Sequence, residues 1–495
     1  MFLGLDLGTS GLKGVVINEQ GNVVAQANQP LTVSSPRATW SEQAPEAWWQ
    51  ALIDVCSALS DVVDLKQVQA IGLSGQMHGA TLIDVSGAVL RPCILWNDGR
   101  SQKQCKALMS THPELMSRSG NLAMPGFTLP KTLWVKENEP EIYAQIDKVL
   151  LPKDYLAYRL TGVFSSDCSD AAGTLWLNPQ TRQWDEHLLK LTGLSLAHMP
   201  SVHEGAQIIG QLSPSVASAL GFNDVPVVAG AGDNAAGAVG MGITEPAQGF
   251  VSLGTSGVYF VVSESHNANP ENTVHAFCHA LPNRWHQMGV TLSAANSLSW
   301  FAKTLSMSVA DLLDELELAS IRKTSVVFLP YLNGERTPIN DSLACGQFFG
   351  LRSSTRREDM TLSILEGIAF SLLDCQNALE SAGSSVNELS LIGGGARSEL
   401  WRSIIASILG KTLTYRDGGD VGPGLGAARL ALLGKKEQDG QDIEALIKQH
   451  CRMPEVLATH SPEQDMQSYY QAKHVIYQQL YRSTESLNTQ VSQLC

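Results

Sequence analysis

Two identical five-residue turns carry the first chemistry legible in this chain. Leu7-Gly8-Thr9-Ser10-Gly11 and Leu253-Gly254-Thr255-Ser256-Gly257 each stand between apolar runs. A glycine-rich turn between strands can aim backbone N–H groups and two hydroxyls at one point, which holds a phosphate without a helix. A single copy reads more simply as a polar hairpin turn. Two copies facing each other across a cleft would clamp a nucleotide triphosphate tail. Asp6 precedes the first turn and could hold Mg²⁺ directly or through water. Asp233 stands where an apolar run beginning at Val227 breaks into glycines and alanines. An aspartate among residues too small to crowd it can touch a ligand, and Asn234 beside it can both donate and accept hydrogen bonds. The same aspartate could cap the following helix, and the two roles are compatible. Two decoys fall away. Gly230-Ala-Gly232 resembles a dinucleotide fingerprint, but Asp233 would repel a pyrophosphate. Gly410-Lys-Thr412 resembles the end of a Walker A loop, which requires glycine at position 405, where Ile405 stands.

These groups need elements to position them. Residues 2–17 read as two strands around the first turn, with 23–27 a third. Residues 68–75 and 389–395 are both apolar strands that run into glycines. The order turn, then strand and glycines, occurs in each half and predicts two similar domains of hairpin sheet and α/β crossover. Helical periodicity covers 45–59, 101–115, 131–137 and 362–373, and Pro152 opens a further helix. Asp233 is followed by a small-residue helix, and 393–395 opens one containing Trp401. Residues 328–338, which include Gly334-Glu-Arg-Thr-Pro338, form a loop rich in turn formers. Five glycines within 418–426 precede an alanine-rich helix whose start could line a ligand. From about Lys435 the chain reads as polar and helical to its end.

With 495 residues, two large domains are expected. Hydrophobic content of 44% and charged content of 17% are ordinary for a globular protein. A net charge of -14 argues against non-specific nucleic-acid binding. The nine cysteines are scattered with no CxxC pair, which fits reduced thiols in the cytoplasm. His275, Cys278, His279 and His286 match no standard zinc spacing. The N-terminus lacks a basic stretch and meets a charge at Asp6, unlike a signal peptide. No apolar run approaches the roughly 18 residues that span a bilayer.

Taken in order, the segments 5–11, 74–79, 96–100, 126–134, 230–237 and 393–398 resemble the FGGY family of carbohydrate kinases, within the actin-like ATPase superfamily. Segments 126–134 and 346–351 are similar to the family's two signature patterns, and the resemblance covers essentially the whole chain. It implies an α/β fold of two similar actin-like ATPase (ribonuclease H-like) domains, 1–243 and 244–495. Mixed sheets flanked by helices would enclose an active-site cleft, with a hinge near 240–248. It implies transfer of a phosphoryl group from ATP, with Mg²⁺, to a small sugar: D-xylulose first, with ribulose or another ketose or polyol as the alternative. Glycerol is disfavoured, because Gln76-Met-His-Gly79 stands where glycerol kinases carry an Arg-Glu pair.

By the same resemblance Asp233 is the catalytic base and, with Asp6, a metal ligand. Met77, His78, Asp233 and Asn234 would meet the sugar. Gly8, Thr9 and Ser10 would meet the phosphates on one side, and Gly254 and Thr255 on the other. Gly394, Gly395 and Ser398 would lie against the adenosine. A cytoplasmic enzyme, often a homodimer, is implied, with no nucleic-acid or membrane partner. The chemistry agrees. A sugar hydroxyl is a poor nucleophile at neutral pH, and a carboxylate placed on its proton assists by about 10²–10⁴-fold. A lone histidine is more often structural, but His78 sits in a glycine-flanked turn where a neutral imidazole can hydrogen-bond a sugar oxygen. Trp96 and Asn97 fit either cleft or core. A non-catalytic nucleotide switch would keep both turns yet need no base at position 233.

Overall fold

The computed structural model describes residues 1–417, 422–491, 493 and 494. Its frame is two mixed sheets built around the same central strand arrangement. The first uses β1 (Phe2–Leu7), β2 (Gly11–Ile17), β3 (Val23–Pro30), β4 (Ala70–Gly75), β5 (Ile208–Gln211) and β6 (Pro226–Val228). Their spatial order is β5-β6-β4-β1-β2-β3, and the short piece Ala231–Gly232 also pairs with β4. The second uses β7 (Gly249–Leu253), β8 (Gly257–Ser263), β9 (His275–Cys278), β10 (Trp285–Thr291), β11 (Glu388–Ile392), β12 (Thr412–Arg416) and β13 (Val456–His460). Its order is β9-β10-β8-β7-β11-β12-β13.

The central strands of the two sheets correspond, while the edges differ: β5 precedes β6 in the chain but β13 follows β12, and β9 lies beyond β10 where the first sheet ends at β3. The hairpins β1/β2 and β7/β8 are antiparallel and enclose the two identical turns. The pairs β1/β4 and β7/β11 are parallel. Leu7 pairs with Gly75 in the first, and Ser252 with Ile392 in the second, so Gly75 and Gly393 end equivalent strands. This is the two-domain architecture of an actin-like ATPase, mixed sheets flanked by helices. β4 is buried at every position, as a parallel strand covered on both faces must be.

Seven helices matter for the site: α1 (Pro45–Ser60), α2 (Thr128–Asn138), α3 (Asp233–Met241), α4 (Arg357–Ser381), α5 (Glu399–Leu409), α6 (Gly422–Gln438) and α7 (Gln464–Val491). α6 follows β12 in sequence yet lies on the first sheet. A Cβ at Gly4 would come 2.1 Å from the Gly424 carbonyl oxygen, and one at Gly72 would come 2.0 Å from that of Ala427. Only glycine on β1 and β4 admits the helix this closely. α4 runs well beyond the expected 362–373 because its flanks also pack in the second core. Its Glu366 is buried and ion-paired to Lys473 of α7 at 2.5 Å.

The reading of everything after Lys435 as helical is corrected at one point. β13 is a strand, antiparallel to β12 at the sheet's edge. An edge strand buries little, so Val456–His460 lacks the alternation that marks a half-buried strand. Residues 418–421, part of the five-glycine stretch, lie outside the described residues. Among the described residues no helix is long and apolar enough to cross a membrane, and Cys56, Cys93, Cys105, Cys168, Cys278, Cys345, Cys375 and Cys451 are free thiols.

Candidate active site

The first turn is tied down by side chains from three directions. The Thr9 hydroxyl donates to Gln76 Oε1 at 2.8 Å and accepts from Trp96 Nε1 at 3.0 Å. Gln43 Nε2 donates to the Thr9 carbonyl at 2.8 Å, while Gln43 Oε1 accepts from Gln76 Nε2 and Trp48 Nε1. Within the turn, Gly8 N–H donates to the Gly11 carbonyl at 2.9 Å. Ser10 stands exposed at its tip. The second turn has a different anchor. The N–H groups of Ala294 and Ala295 donate to the Thr255 and Gly254 carbonyls, each at 2.9 Å. Gly393 has φ of 88°, and a Cβ there would come 2.7 Å from the Leu253 carbonyl oxygen. Gly394 faces open space. Gly395 packs on Leu253 and Trp401. Ser398 caps α5 by accepting from Trp401 N–H at 3.2 Å.

Asp6 and Asp233 come together from strand β1 and helix α3. Asp233 is the first residue of α3 and Gly232 is its cap, so the aspartate is not the capping group. Its Oδ1 accepts from Asn234 N–H at 2.7 Å and from Asn234 Nδ2 at 2.9 Å. Burial, and then the negative charge of Asp6, push the Asp233 carboxyl up to about 7. Burial likewise lifts Asp6 to about 6, opposed by the nearby Ser74 hydroxyl and the Lys13 charge. Asp6 Oδ1 is buried without a hydrogen-bond partner. Two buried carboxyls, both raised, with an orphaned oxygen suit a divalent cation, whose charge would relieve both. Among the described residues no group of three or more His, Cys, Asp or Glu converges on a metal position. Mg²⁺ usually takes one or two carboxylates and completes its shell with water and phosphate oxygens.

His78 adopts φ of 70° at the end of the β4 turn. Its Nδ1 lies 2.7 Å from the Gly173 carbonyl oxygen, and burial holds its pKa down at about 3. The ring is therefore neutral with Nδ1–H donating, and Nε2 is left as an acceptor. Its own carbonyl accepts from Thr128 Oγ1 and Lys131 Nζ, both on α2 and both at 3.0 Å. A Cβ on Gly173 would come 2.4 Å from His78 Nδ1. Met77 is buried with its side chain against Gly232.

A cavity of about 260 Å³ joins these groups across the two halves. Met77, His78, Trp96, Asp233 and Asn234 line it from the first half, and Ser256, His275, Phe277 and Arg336 from the second. Trp96 thus faces the cleft. Asn97 instead lines a separate groove with Arg37 and Trp40. Sequence reasoning missed Gln43, Gln76, Phe127, His275, Phe277 and Arg336 as site components. It also missed the charges behind Asp233. There Lys153 meets Asp154 at 2.6 Å, Asp167 at 2.8 Å and Asp170 at 3.7 Å, all buried. Burial drives Asp170 well above the usual carboxylate range, with Lys153 opposing and Asp154, Asp167 and Asp233 adding to the rise. Ser169 links this group to the site by donating to Asp167 and accepting from Gly232 N–H at 3.1 Å. The spacing Asp167-x-x-Asp170 was its one visible trace in the sequence.

Residues 1–240 match the N-terminal domain of the FGGY family of carbohydrate kinases, and residues 249–434 match the C-terminal domain. The chain is 50% identical to the xylulose kinase of Escherichia coli K12 over 97% of this chain and 99% of that protein. It is 37% identical to the xylulose kinase of Bacillus subtilis, covering 98% of each. The crystal structure of a xyloylose kinase from Brucella ovis superposes with a TM-score of 0.93 at 45% identity, covering 98% of this chain and 99% of that one.

Proposed function

The chain belongs to the FGGY family of carbohydrate kinases, and from that premise we propose that it transfers the γ-phosphoryl group of ATP to the 5-hydroxyl of D-xylulose. The observation that carries this reading is the cavity shared by both halves, with Asp233 on its wall. The relatives that match over nearly the whole chain are named xylulose kinases.

Asp233 accepts the proton of the 5-hydroxyl as that oxygen attacks the γ-phosphorus. Asn234 Nδ2 holds the carboxylate in place through the 2.9 Å hydrogen bond. His78 Nε2 accepts a hydrogen bond from a sugar hydroxyl, and Met77 walls the carbon chain. The Gly8-Thr9-Ser10 and Gly254-Thr255 turns hold the phosphates from opposite halves. Gly394, facing open space, leaves room for the nucleoside, and Gly395 and Ser398 shape the same wall. Asp6 and Asp233 would hold Mg²⁺, which neutralises charge on the transferring phosphoryl group. Closing the halves excludes water that would otherwise accept the phosphoryl group.

Coupled ADP release with Mg·ATP and a panel of D-xylulose, D-ribulose, L-xylulose, glycerol and gluconate tests this. D-xylulose should give the highest kcat/KM, and Asp233→Asn should lower kcat by about 10²–10⁴-fold. Another sugar turning over fastest would overturn the substrate. An Asp233→Asn variant as active as the wild type would overturn the base.

A further inference from the structure

Among the described residues Arg336 is the one cation on the cavity wall, and the phosphoryl transfer proposed above does not use it. Among the described residues no carboxylate forms an ion pair with its guanidinium. The neighbouring Glu335 is occupied elsewhere. Its Oε1 accepts the N–H groups of Leu292 at 2.8 Å and Arg336 at 2.7 Å, and its Oε2 accepts the Ser371 hydroxyl at 3.0 Å. The backbone around Arg336 is bolted to the end of β10. Thr337 N–H donates to the Val290 carbonyl at 3.1 Å, and Val290 N–H donates to Thr337 Oγ1 at 3.0 Å. The Arg336 carbonyl accepts the Thr273 hydroxyl at 2.9 Å. Among the described residues the guanidinium has a single polar side-chain contact, Nη1 to His275 Nε2 at 3.4 Å. A rigidly held, unpaired guanidinium facing a cavity is arranged for a ligand that accepts hydrogen bonds.

The chemistry of the substrate says which acceptor. A 2-ketopentose closes its furanose ring through O5, so the 5-hydroxyl is free only in the acyclic keto form. That form carries a carbonyl oxygen, which accepts and cannot donate. The other polar groups on the wall are poorly suited to it. Asp233 and His78 Nε2 are acceptors, Asn234 Nδ2 gives one of its two hydrogens to Asp233 and holds the other beside it at the 5-hydroxyl end, and Trp96 Nε1 is engaged with Thr9. Ser256 belongs to the second phosphate turn. Arg336 also lies at the His78 end of the cavity, where its charge acts on both His78 and His275. The carbonyl end of a sugar whose 5-hydroxyl meets Asp233 would reach that end.

Resting on the D-xylulose reading above, we infer that Arg336 donates to the ketone oxygen of the acyclic sugar and selects a ketose over the corresponding alditol. A carbonyl oxygen satisfies two guanidinium N–H groups with its two lone pairs. An alditol hydroxyl at the same place brings a proton that the guanidinium cannot accept, and the neighbouring acceptor, His78 Nε2, already takes another sugar hydroxyl, so one hydroxyl proton is left over. An unsatisfied group of this kind costs about 1–3 kcal/mol, or about 5–150-fold in preference.

The test compares kcat/KM for D-xylulose and xylitol in the wild type, Arg336→Gln and Arg336→Lys, with melting curves confirming that each variant is folded. The wild type should favour D-xylulose, and Arg336→Gln should cut the ketose-to-alditol ratio at least tenfold, mainly through a higher KM for D-xylulose. Arg336→Lys keeps a charge without the fork and should also lower the ratio; if the Gln variant does not fold, the Lys variant decides. A ratio unchanged in the folded variants, or equal losses on both substrates, overturns the assignment while leaving the kinase reading standing. A wild type that does not turn over D-xylulose overturns that reading, and this assignment with it.

Discussion

Lys131 lies wholly inside the first domain, where its ammonium meets the His78 carbonyl at 3.0 Å. Burial brings its pKa from 10.5 down to about 7, although Cys93 and Asp98 act to raise it. In the unfolded chain the amine keeps its proton up to the ordinary lysine value. Between about pH 7 and 10.5 the unfolded state therefore binds the extra proton, and raising the pH favours the folded state. Wild type compared with Lys131→Met should gain several degrees of relative melting temperature between pH 7 and 9.5. A difference that stays flat across that range would show that the amine titrates normally. The value of this buried lysine lies in placing His78, whose left-handed backbone and neutral ring depend on α2 and Gly173. The sequence marks His78 through its glycine-flanked turn. It does not mark Lys131 or Gly173, because a helix-period lysine and an isolated glycine have no local signature of what they touch.

At the scale of elements, the crossing of α3 and α6 sets how closely the two domains' helices meet. Ala236 and Gly240 on α3 face Gly422 and Gly426 on α6. A Cβ at Gly426 would come 1.8 Å from the Ala236 carbonyl oxygen, and one at Gly240 would come 2.7 Å from that of Gly422. Both helices are thus small along one stripe so that their backbones can touch. Gly426→Ala should cost at least about 2 kcal/mol, since a methyl forced against backbone cannot be absorbed by side-chain rotation. Urea unfolding measures it, and a loss under about 0.5 kcal/mol would mean that the helices separate freely. The small-residue character of both segments was visible in the sequence, as was the start of α3 at Asp233. That they cross each other, and that α6 covers the first sheet, was not visible. Helical periodicity reports which face is apolar or small and says nothing about which partner covers it.

At the scale of the whole molecule, side chains of the first half cover the edge of the second sheet. Asn121 pairs with the backbone of Ala276 on β9, donating from Nδ2 at 3.0 Å and accepting at Oδ1 at 3.2 Å. Arg182 binds Glu204 at 2.6 and 2.7 Å and donates to the carbonyls of Arg284 at 2.9 Å and His279 at 3.2 Å. An otherwise open sheet edge is closed in this way, and the His275–Phe277 wall of the cavity is held against His78 and Phe127. Arg182→Met leaves the partly buried Glu204 carboxylate without its cation and removes a donor from the carbonyls of Arg284 and His279. It should cost about 2–4 kcal/mol and split urea unfolding into two transitions. One cooperative transition at the wild-type midpoint would show that the staple carries no load.

The amino-acid sequence by itself determined the doubled strand-turn-strand plan, the two identical Leu-Gly-Thr-Ser-Gly turns and Asp233 among small neighbours. Each of these is a local pattern, written within about ten residues. Only the tertiary structure decided that Gln43, Gln76 and Trp96 anchor Thr9, that Lys153 and three aspartates lie behind Asp233, and that Arg336 faces His78 across the cavity. Those contacts join segments tens to hundreds of residues apart, and what brings them together is the burial of apolar faces, a force without direction that local residue patterns do not encode.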